Sequence, residues 1–298
     1  MQYTGGTTGK AKGALLSHGN LIANISQILA MYGMMLHEGE EVMLTPLPLY
    51  HIFATTINLL LALRIACKNI LVLDPRRLDT LEKILSAHPD ITVMTGVNTL
   101  YNGMLNHGIF ERHRLHWLKL AVGGGASILT GVAERFHAAT GRYILEGYGL
   151  TECSPVACVN PHTKKEFDGS IGIPLPDTLA RIVDEQGEEI WDLNVPGELE
   201  FQGPQVMQGY LNDPEDERLV RDGPWLRTGD VAVWLPGGYL KIIDRLKDMI
   251  LVSGFNVFPS EIEDVVSRNP RVAECACIGI PSDTTGETVK LFVVKQDP

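Results

Sequence analysis

Up to about residue 150 the chain alternates short apolar runs with segments whose apolar residues recur at helical spacing. The runs Val42–Leu47, Ile70–Leu73, Ile91–Thr95, Leu118–Val122 and Tyr143–Leu145 predict strands. Between them, Ser17–Leu36 and Thr130–Ala139 predict helices, with Ser17 as the N-cap before Leu21, Ile22 and Ile25. Strand–helix alternation predicts a parallel sheet with crossover helices. Ligands on such sheets sit where loops leave the carboxyl ends of the strands. The segments VGGGAS (Val122–Ser127) and EGYGLTEC (Glu146–Cys153) both belong to that edge.

From about Ser170 the pattern changes to short strands with turn signals: Leu179–Val183, the turn Glu185-Gln186-Gly187, then Gly197–Gln202. Pro236-Gly237-Gly238 breaks Val231–Ile243 into a hairpin. After Asp244 a helix at Pro259–Ser267 sits between Ile250–Val252 and the strand runs Ala273–Ile278 and Val289–Val294. The expected organisation is an α/β part over residues 1–169, a β-rich part over 170–246 and the start of a small α+β unit over 247–298. There is no internal repeat. Ile52–Cys67 is the most membrane-like stretch, but Thr55, Thr56, Asn58 and Arg64 interrupt it, which predicts a buried helix and not a span.

Composition narrows the class. With 45% apolar and 20% charged residues, the 298-residue chain has enough material for a core and is not a disordered chain. A formal net charge of −11 gives no footprint for nucleic acid. The five cysteines include no Cys-x-x-Cys pair and no histidine at zinc-ligand spacing. Cys275 and Cys277 share one strand face and are expected to pack as small hydrophobes, in keeping with a reducing cytoplasm. No secretion signal is visible.

The segment Tyr3–Gly13, YTGGTTGKAKG, concentrates glycines that let backbone amides approach an anion, hydroxyls on Thr4, Thr7 and Thr8, and two lysines. It is not a Walker loop, because Thr4 stands where that motif has its first glycine and Ala11 follows Lys10. As bare composition it is as readily a plain turn; its order is far more restrictive. A serine-hydrolase elbow is excluded, since GASIL fails Gly-x-Ser-x-Gly at its last position.

In that order the segment resembles the phosphate-binding loop of the adenylate-forming superfamily. The resemblance continues through LPLYHIFA (Leu47–Ala54), VGGGAS, EGYGLTEC, GELEFQGPQVMQGYL (Gly197–Leu211), LRTGD (Leu226–Asp230) and DRLKDMILVSGFNVFPSEIE (Asp244–Glu263). Gly5 and Ala11, where other members carry Ser and Pro, make the segment most similar to the bacterial long-chain fatty-acid–CoA ligases. The resemblance implies a partial fold of that superfamily: a parallel α/β sheet, a barrel-like β-rich subdomain and a truncated mobile C-terminal domain. It also implies the chemistry, in which ATP activates a fatty acid as an acyl-adenylate and coenzyme A takes up the acyl group.

The same resemblance assigns roles. Thr4, Gly6, Thr7, Thr8, Gly9 and Lys12 would hold the β- and γ-phosphates, and Gly124, Gly125, Ala126 and Tyr148 would border adenine. Thr151 would reach the α-phosphate and Glu152 would hold Mg²⁺, although a lone Glu152 reads equally as a surface charge. Asp230 would accept the ribose hydroxyls, a two-acceptor group suiting a vicinal diol. Arg245 would be the second ribose contact, or else a surface partner of Asp244 or Asp248. His51 would sit near the acyl-adenylate, or else in the core beside Tyr50 and Phe53. Lys247 would be the hinge of the C-terminal domain, and Gly254 would let pantetheine pass the backbone. The family's first α/β subdomain and its catalytic-lysine loop find no counterpart in these residues, so the chain is read as a fragment, inactive by itself. The alternatives are a non-catalytic nucleotide-binding remnant and another adenylate-forming ligase. The implied partners are small molecules, with peripheral membrane association and a homodimer as further expectations.

Overall fold

The computed structural model describes residues 1–5, 11–269, 271–282 and 284–296. The chain divides into two compact units, Met1–Ala180 with Phe201–Leu226, and Arg181–Glu200 with Arg227–Pro298.

The first unit opens with an antiparallel hairpin of β1 (Gln2–Gly5) and β2 (Ala11–Ala14), which pairs Thr4 with Lys12. Helix α1 (His18–Tyr32) starts at a complete capping box: Ser17 Oγ accepts from Asn20 N, and Asn20 Oδ1 accepts from Ser17 N. A seven-stranded sheet follows, built from β3 (Val42–Thr45), β4 (Lys68–Leu71), β5 (Val93–Gly96), β6 (Leu120–Gly123), β7 (Ile144–Gly149), β8 (Val156–Val159) and β9 (Ile173–Pro174). Its order is β4-β3-β5-β6-β7-β8-β9, parallel from β4 to β7 and antiparallel at β8 and β9. The antiparallel pair departs from an all-parallel expectation.

Successive strand residues point to opposite faces, and both faces are buried. Leu44, Met94, Ala121 and Ile144 enter one apolar cluster, while Met43, Val93, Leu120 and Leu145 enter the other. The first cluster is completed by α3 (Leu78–Ala87), α4 (Asn98–Asn106), α5 (Ile109–Arg112) and α6 (Thr130–Thr140). The second is completed by α1 and by a helix whose π-helical stretch, Ala54–Leu61, runs into α2 (Ala62–Arg64). This is the stretch expected to be a buried helix, and Ile52, Ile57 and Leu61 are buried in it. Among the described residues no helix is long and apolar enough to cross a membrane.

Beyond β9, strands β10 (Leu179–Val183), β11 (Gly197–Gln202), β12 (Arg221–Asp222), β13 (Trp225–Leu235) and β14 (Tyr239–Arg245) form a sheet in the order β10-β11-β13-β12, with β14 also on β13. A short α7 (Pro214–Leu219) lies between β11 and β12. β13 and β14 close the expected hairpin over residues 236–238, with Leu235 opposite Tyr239. In the second unit, β15 (Ile250–Val252), β16 (Phe255–Val257), α8 (Pro259–Ser267), β17 (Val272–Ser282) and β18 (Gly286–Lys295) make a four-stranded sheet of order β16-β15-β18-β17 carrying one helix. Helix α8 starts where expected, since Pro259 fills its first turn and Asp244 accepts from Ser260 N at 2.9 Å. Cys277 is buried and Cys275 half-buried on β17, both free thiols whose ionisation burial pushes upward.

Candidate functional site

In the first unit the motifs meet at the carboxyl ends of β6 and β7. The two strands pair Gly123 with Glu146, so VGGGAS and EGYGLTEC leave the sheet side by side. The buried Glu146 fixes the first loop, its Oε1 accepting from Ile128 N at 2.8 Å. Gly124 is buried where a Cβ would lie 3.2 Å from the Gly147 carbonyl oxygen, so any side chain there would have to push the two loops apart by a few tenths of an ångström. Gly125 and Ala126 are exposed beyond it. Tyr148 is half-buried, its ring 6.0 Å from that of Phe201.

Thr151–Cys153 form one 3₁₀ turn after β7, with Thr151 and Glu152 half-buried. That turn is tied to the rest of the unit on several sides. Thr56 in the π-helical stretch donates to Ser154 O at 2.7 Å, and Ser154 Oγ donates to Gln205 O at 2.8 Å. Met207 N donates to Glu152 O at 2.7 Å. Asn24 on α1 is fully buried and clamps the Val156 backbone, donating to its carbonyl at 2.8 Å and accepting from its N–H at 3.1 Å.

Glu152 itself is partnered. Tyr210 Oη donates to Glu152 Oε1 at 2.5 Å. Burial and the Glu152 carboxylate push the Tyr210 phenol far above its ordinary range, so it stays a donor. Lys12 lies 5.3 Å above the Tyr210 ring, and its ammonium pairs with Asp216 of α7 at 2.8 Å, with both side chains largely buried. Thr4 is half-buried opposite Lys12 on the hairpin. Gly6, Thr7, Thr8 and Gly9, also expected at the phosphates, lie outside the described residues. His51 is exposed and not in the core, its Nδ1 accepting from Phe53 N at 3.2 Å.

The second unit holds the remaining candidates. Asp230 on β13 is buried directly opposite Arg245 on β14, and Arg245 Nε lies 3.7 Å from Asp230 Oδ1. The arginine side chain therefore turns to Asp230, whereas Asp244 takes the arginine's backbone N–H, at 2.8 Å. The Asp230 backbone is held in turn, its N–H donating to Thr228 Oγ1 at 3.0 Å while Thr228 donates to Leu199 O at 2.7 Å. Lys247 is exposed in the 3₁₀ turn Leu246–Asp248. Gly254 ends a two-residue turn between β15 and β16, where Ser253 and Gly254 have φ of +52° and +82°. Such a turn favours glycine with or without a ligand.

A hard dication such as Mg²⁺ keeps several waters and takes only one or two protein carboxylates beside substrate phosphates. Glu152 supplies one carboxylate, and among the described residues no group of three or more metal-ligating side chains forms. The donor set fits a cation shared with phosphates and not an all-protein cage. Tyr210 and Asp216 carried no assignment from the sequence, although Tyr210 stands within GELEFQGPQVMQGYL.

The model for the AMP-binding enzymes matches residues 1–211, and that for the AMP-binding enzyme C-terminal domain matches 261–298. Across its whole length the chain is 52% identical to the long-chain-fatty-acid–CoA ligase of Salmonella typhimurium and covers 53% of that protein. It is 38% identical to the ligase of the same name from Bacillus subtilis, with 99% of the chain and 52% of the relative aligned. The chain thus spans about half the length of the curated relatives it matches. Among solved structures, ATP-bound MatB from Rhodopseudomonas palustris superposes with a TM-score of 0.89 at 32% identity, covering 99% of this chain and 57% of that one. The chain belongs to the AMP-binding enzyme family.

Proposed function

We propose that the chain carries the nucleotide-binding part of a long-chain fatty-acid–CoA ligase, which joins a fatty carboxylate to the α-phosphate of ATP, releases pyrophosphate, and passes the acyl group to coenzyme A. The observation that carries this reading is the similarity, along the whole of this chain and about half of each relative, to proteins of that name. The local geometry is in keeping with it. Loops at the carboxyl ends of parallel strands are where an α/β sheet takes its ligand, and Glu152 stands there as one carboxylate beside the Thr151 hydroxyl.

The chemical demand is electrostatic: two anions must meet, so fixed dipoles and cations have to offset their repulsion. In this reading Thr4 and Lys12 face the β- and γ-phosphates, Thr151 donates to the α-phosphate oxygen, and Tyr148 presents a flat face to adenine with Gly124, Gly125 and Ala126 at its edge. Glu152 holds Mg²⁺, which supplies charge neutralisation of the phosphates when bound. Asp230, with Arg245 beside it, accepts the ribose diol. His51 lies on the acyl side, Lys247 is the hinge and Gly254 lines the pantetheine path. No protein nucleophile is required.

The reading is tested by pyrophosphate release from ATP by a protein carrying this chain. Release is expected only with a long-chain fatty acid and Mg²⁺; equal release with amino acids overturns the fatty-acid assignment. The ribose assignment has its own measurement. Removing hydrogen bonds to a charged acceptor costs about 1.5–3 kcal/mol, roughly 10- to 150-fold in affinity. Asp230→Ala should weaken ATP by that factor and leave 2′,3′-dideoxy-ATP nearly unchanged. An unaltered preference between the two nucleotides removes Asp230 from the ribose.

A further inference from the structure

Tyr210 is a buried residue whose place is fixed from several directions. Its main chain bridges antiparallel to Ala14 of β2, and the next residue, Leu211, donates its N–H to Gly13 O at 2.8 Å. The same segment reaches Glu152 twice, through Met207 N to Glu152 O at 2.7 Å and through the Tyr210 hydroxyl to Oε1 at 2.5 Å. Lys12, paired with Asp216 at 2.8 Å, covers the ring at 5.3 Å. The phenol therefore cannot leave Glu152 without moving β2 or breaking a largely buried ion pair.

A glutamate side chain has three rotatable bonds, and its terminal carboxylate torsion is broad. Left to itself, Glu152 would offer its oxygens in many orientations, and a cation would have to order it at an entropic cost. A short hydrogen bond from a phenol that cannot move selects one oxygen and one carboxylate plane beforehand. Groups that orient a ligating carboxylate in this way typically contribute 10- to 100-fold to metal affinity.

We propose that Tyr210 is the positioning residue for Glu152, holding its carboxylate in the orientation that takes a divalent cation together with nucleotide phosphates, and that the Lys12–Asp216 pair holds the Tyr210 ring in place. The inference rests on the reading that Glu152 is the cation-holding carboxylate, and the experiment separates the two. Calorimetric titration of the purified chain with ATP, over a series of Mg²⁺ concentrations and in EDTA, is compared for the wild type, Tyr210→Phe, Glu152→Gln and the double variant. Tyr210→Phe keeps the ring and its cover and removes only the hydroxyl; far-UV circular dichroism verifies the fold.

In Tyr210→Phe the Mg²⁺ concentration for half-maximal ATP binding should rise about 10-fold, while affinity in EDTA stays within about 2-fold. A merely structural role would lower both together. Because Tyr210 acts through Glu152, the double variant should shift no further than Glu152→Gln alone. A Glu152→Gln shift with none in Tyr210→Phe, or additive shifts in the double variant, overturns the role of Tyr210 and leaves the functional reading standing. Unchanged Mg²⁺ dependence in Glu152→Gln, or no ATP binding by the wild type, overturns that reading and this inference with it.

Discussion

The two ends of the seven-stranded sheet each carry a lysine–carboxylate pair, and the pairs are built to different purposes. At the strand starts Glu41 precedes β3, and its Oε1 accepts from Lys119 Nζ at 2.6 Å and from His37 N at 2.9 Å. The Glu41 side chain is wholly buried, and Lys119 also reaches Met35 O at 3.3 Å. With Thr92 as a further partner of Glu41, the contacts of this pair lead to the fold around the strand starts. At the strand ends the Lys12–Asp216 pair instead bears on the Tyr210 ring, and through its hydroxyl on the half-buried Glu152. A buried ion pair is weak evidence for stability taken alone. What separates the two is where the hydrogen-bond chain leads: at one end into the fold, at the other to a carboxylate that still meets solvent.

The largest expected effect breaks the pair at the strand starts. Lys119→Met leaves the Glu41 carboxylate buried without its cation, and losing one partner of a buried pair costs about 3–5 kcal/mol. Urea unfolding at pH 7 should show a loss of that size, with MgATP affinity per folded molecule unchanged. A parallel fall in ATP affinity would mean that the two ends are not separable.

A smaller effect is expected where α1 supports the strand-end loops. Asn24→Ala leaves the N–H and carbonyl of Val156 without their buried partner, at a cost of about 1–3 kcal/mol. Val156 follows the Thr151–Ser154 turn closely, so here the stability loss should come with weaker MgATP binding. Unaltered ATP affinity in a destabilised Asn24→Ala chain would place α1 with the purely structural contacts.

Much of the fold was legible because strands buried on both faces, such as Val42–Thr45 and Val93–Gly96, read as plain apolar runs. Boundaries slipped where core residues precede the hydrogen-bonded ladder: Leu118 is fully buried, yet β6 begins at Leu120. Helix α8 matched at both ends because Pro259 marks its start chemically. Less legible was which side of α1 turns inward. Asn20, Asn24 and Gln27 are buried, while Ile22 is 62% exposed, because these amides satisfy the loop backbones that the helix packs against. The candidate site divides in the same way. Its motif residues stand in readable blocks, but Tyr210 and Glu152 are 58 residues apart in sequence, and no local periodicity encodes their contact.

The finest test of the comparison is the pH dependence of the strand-start pair. Burial by itself pushes the Glu41 carboxyl up, but hydrogen bonds from His37 N, Lys119 and Thr92 outweigh it and hold the group below the usual glutamate range. An unfolded glutamate titrates near ~4.3. Since the folded value is the lower one, Glu41 contributes stability that is fully present above that pH and is lost as pH falls through the folded value. In Lys119→Met the hydrogen bond and the charge that Lys119 contributes to this lowering are gone, so the folded value lies higher than in the wild type and less stability is lost as pH falls. The stability gap between wild type and Lys119→Met should therefore be widest at pH 7 and narrow toward pH ~4, by about 1.4 kcal/mol for each unit separating the two folded values. Urea unfolding of both proteins at pH 7, 5.5 and 4 measures it. A gap that stays constant down to pH 4 would show that Glu41 does not sense Lys119, and the strand-start pair would lose its part in the comparison.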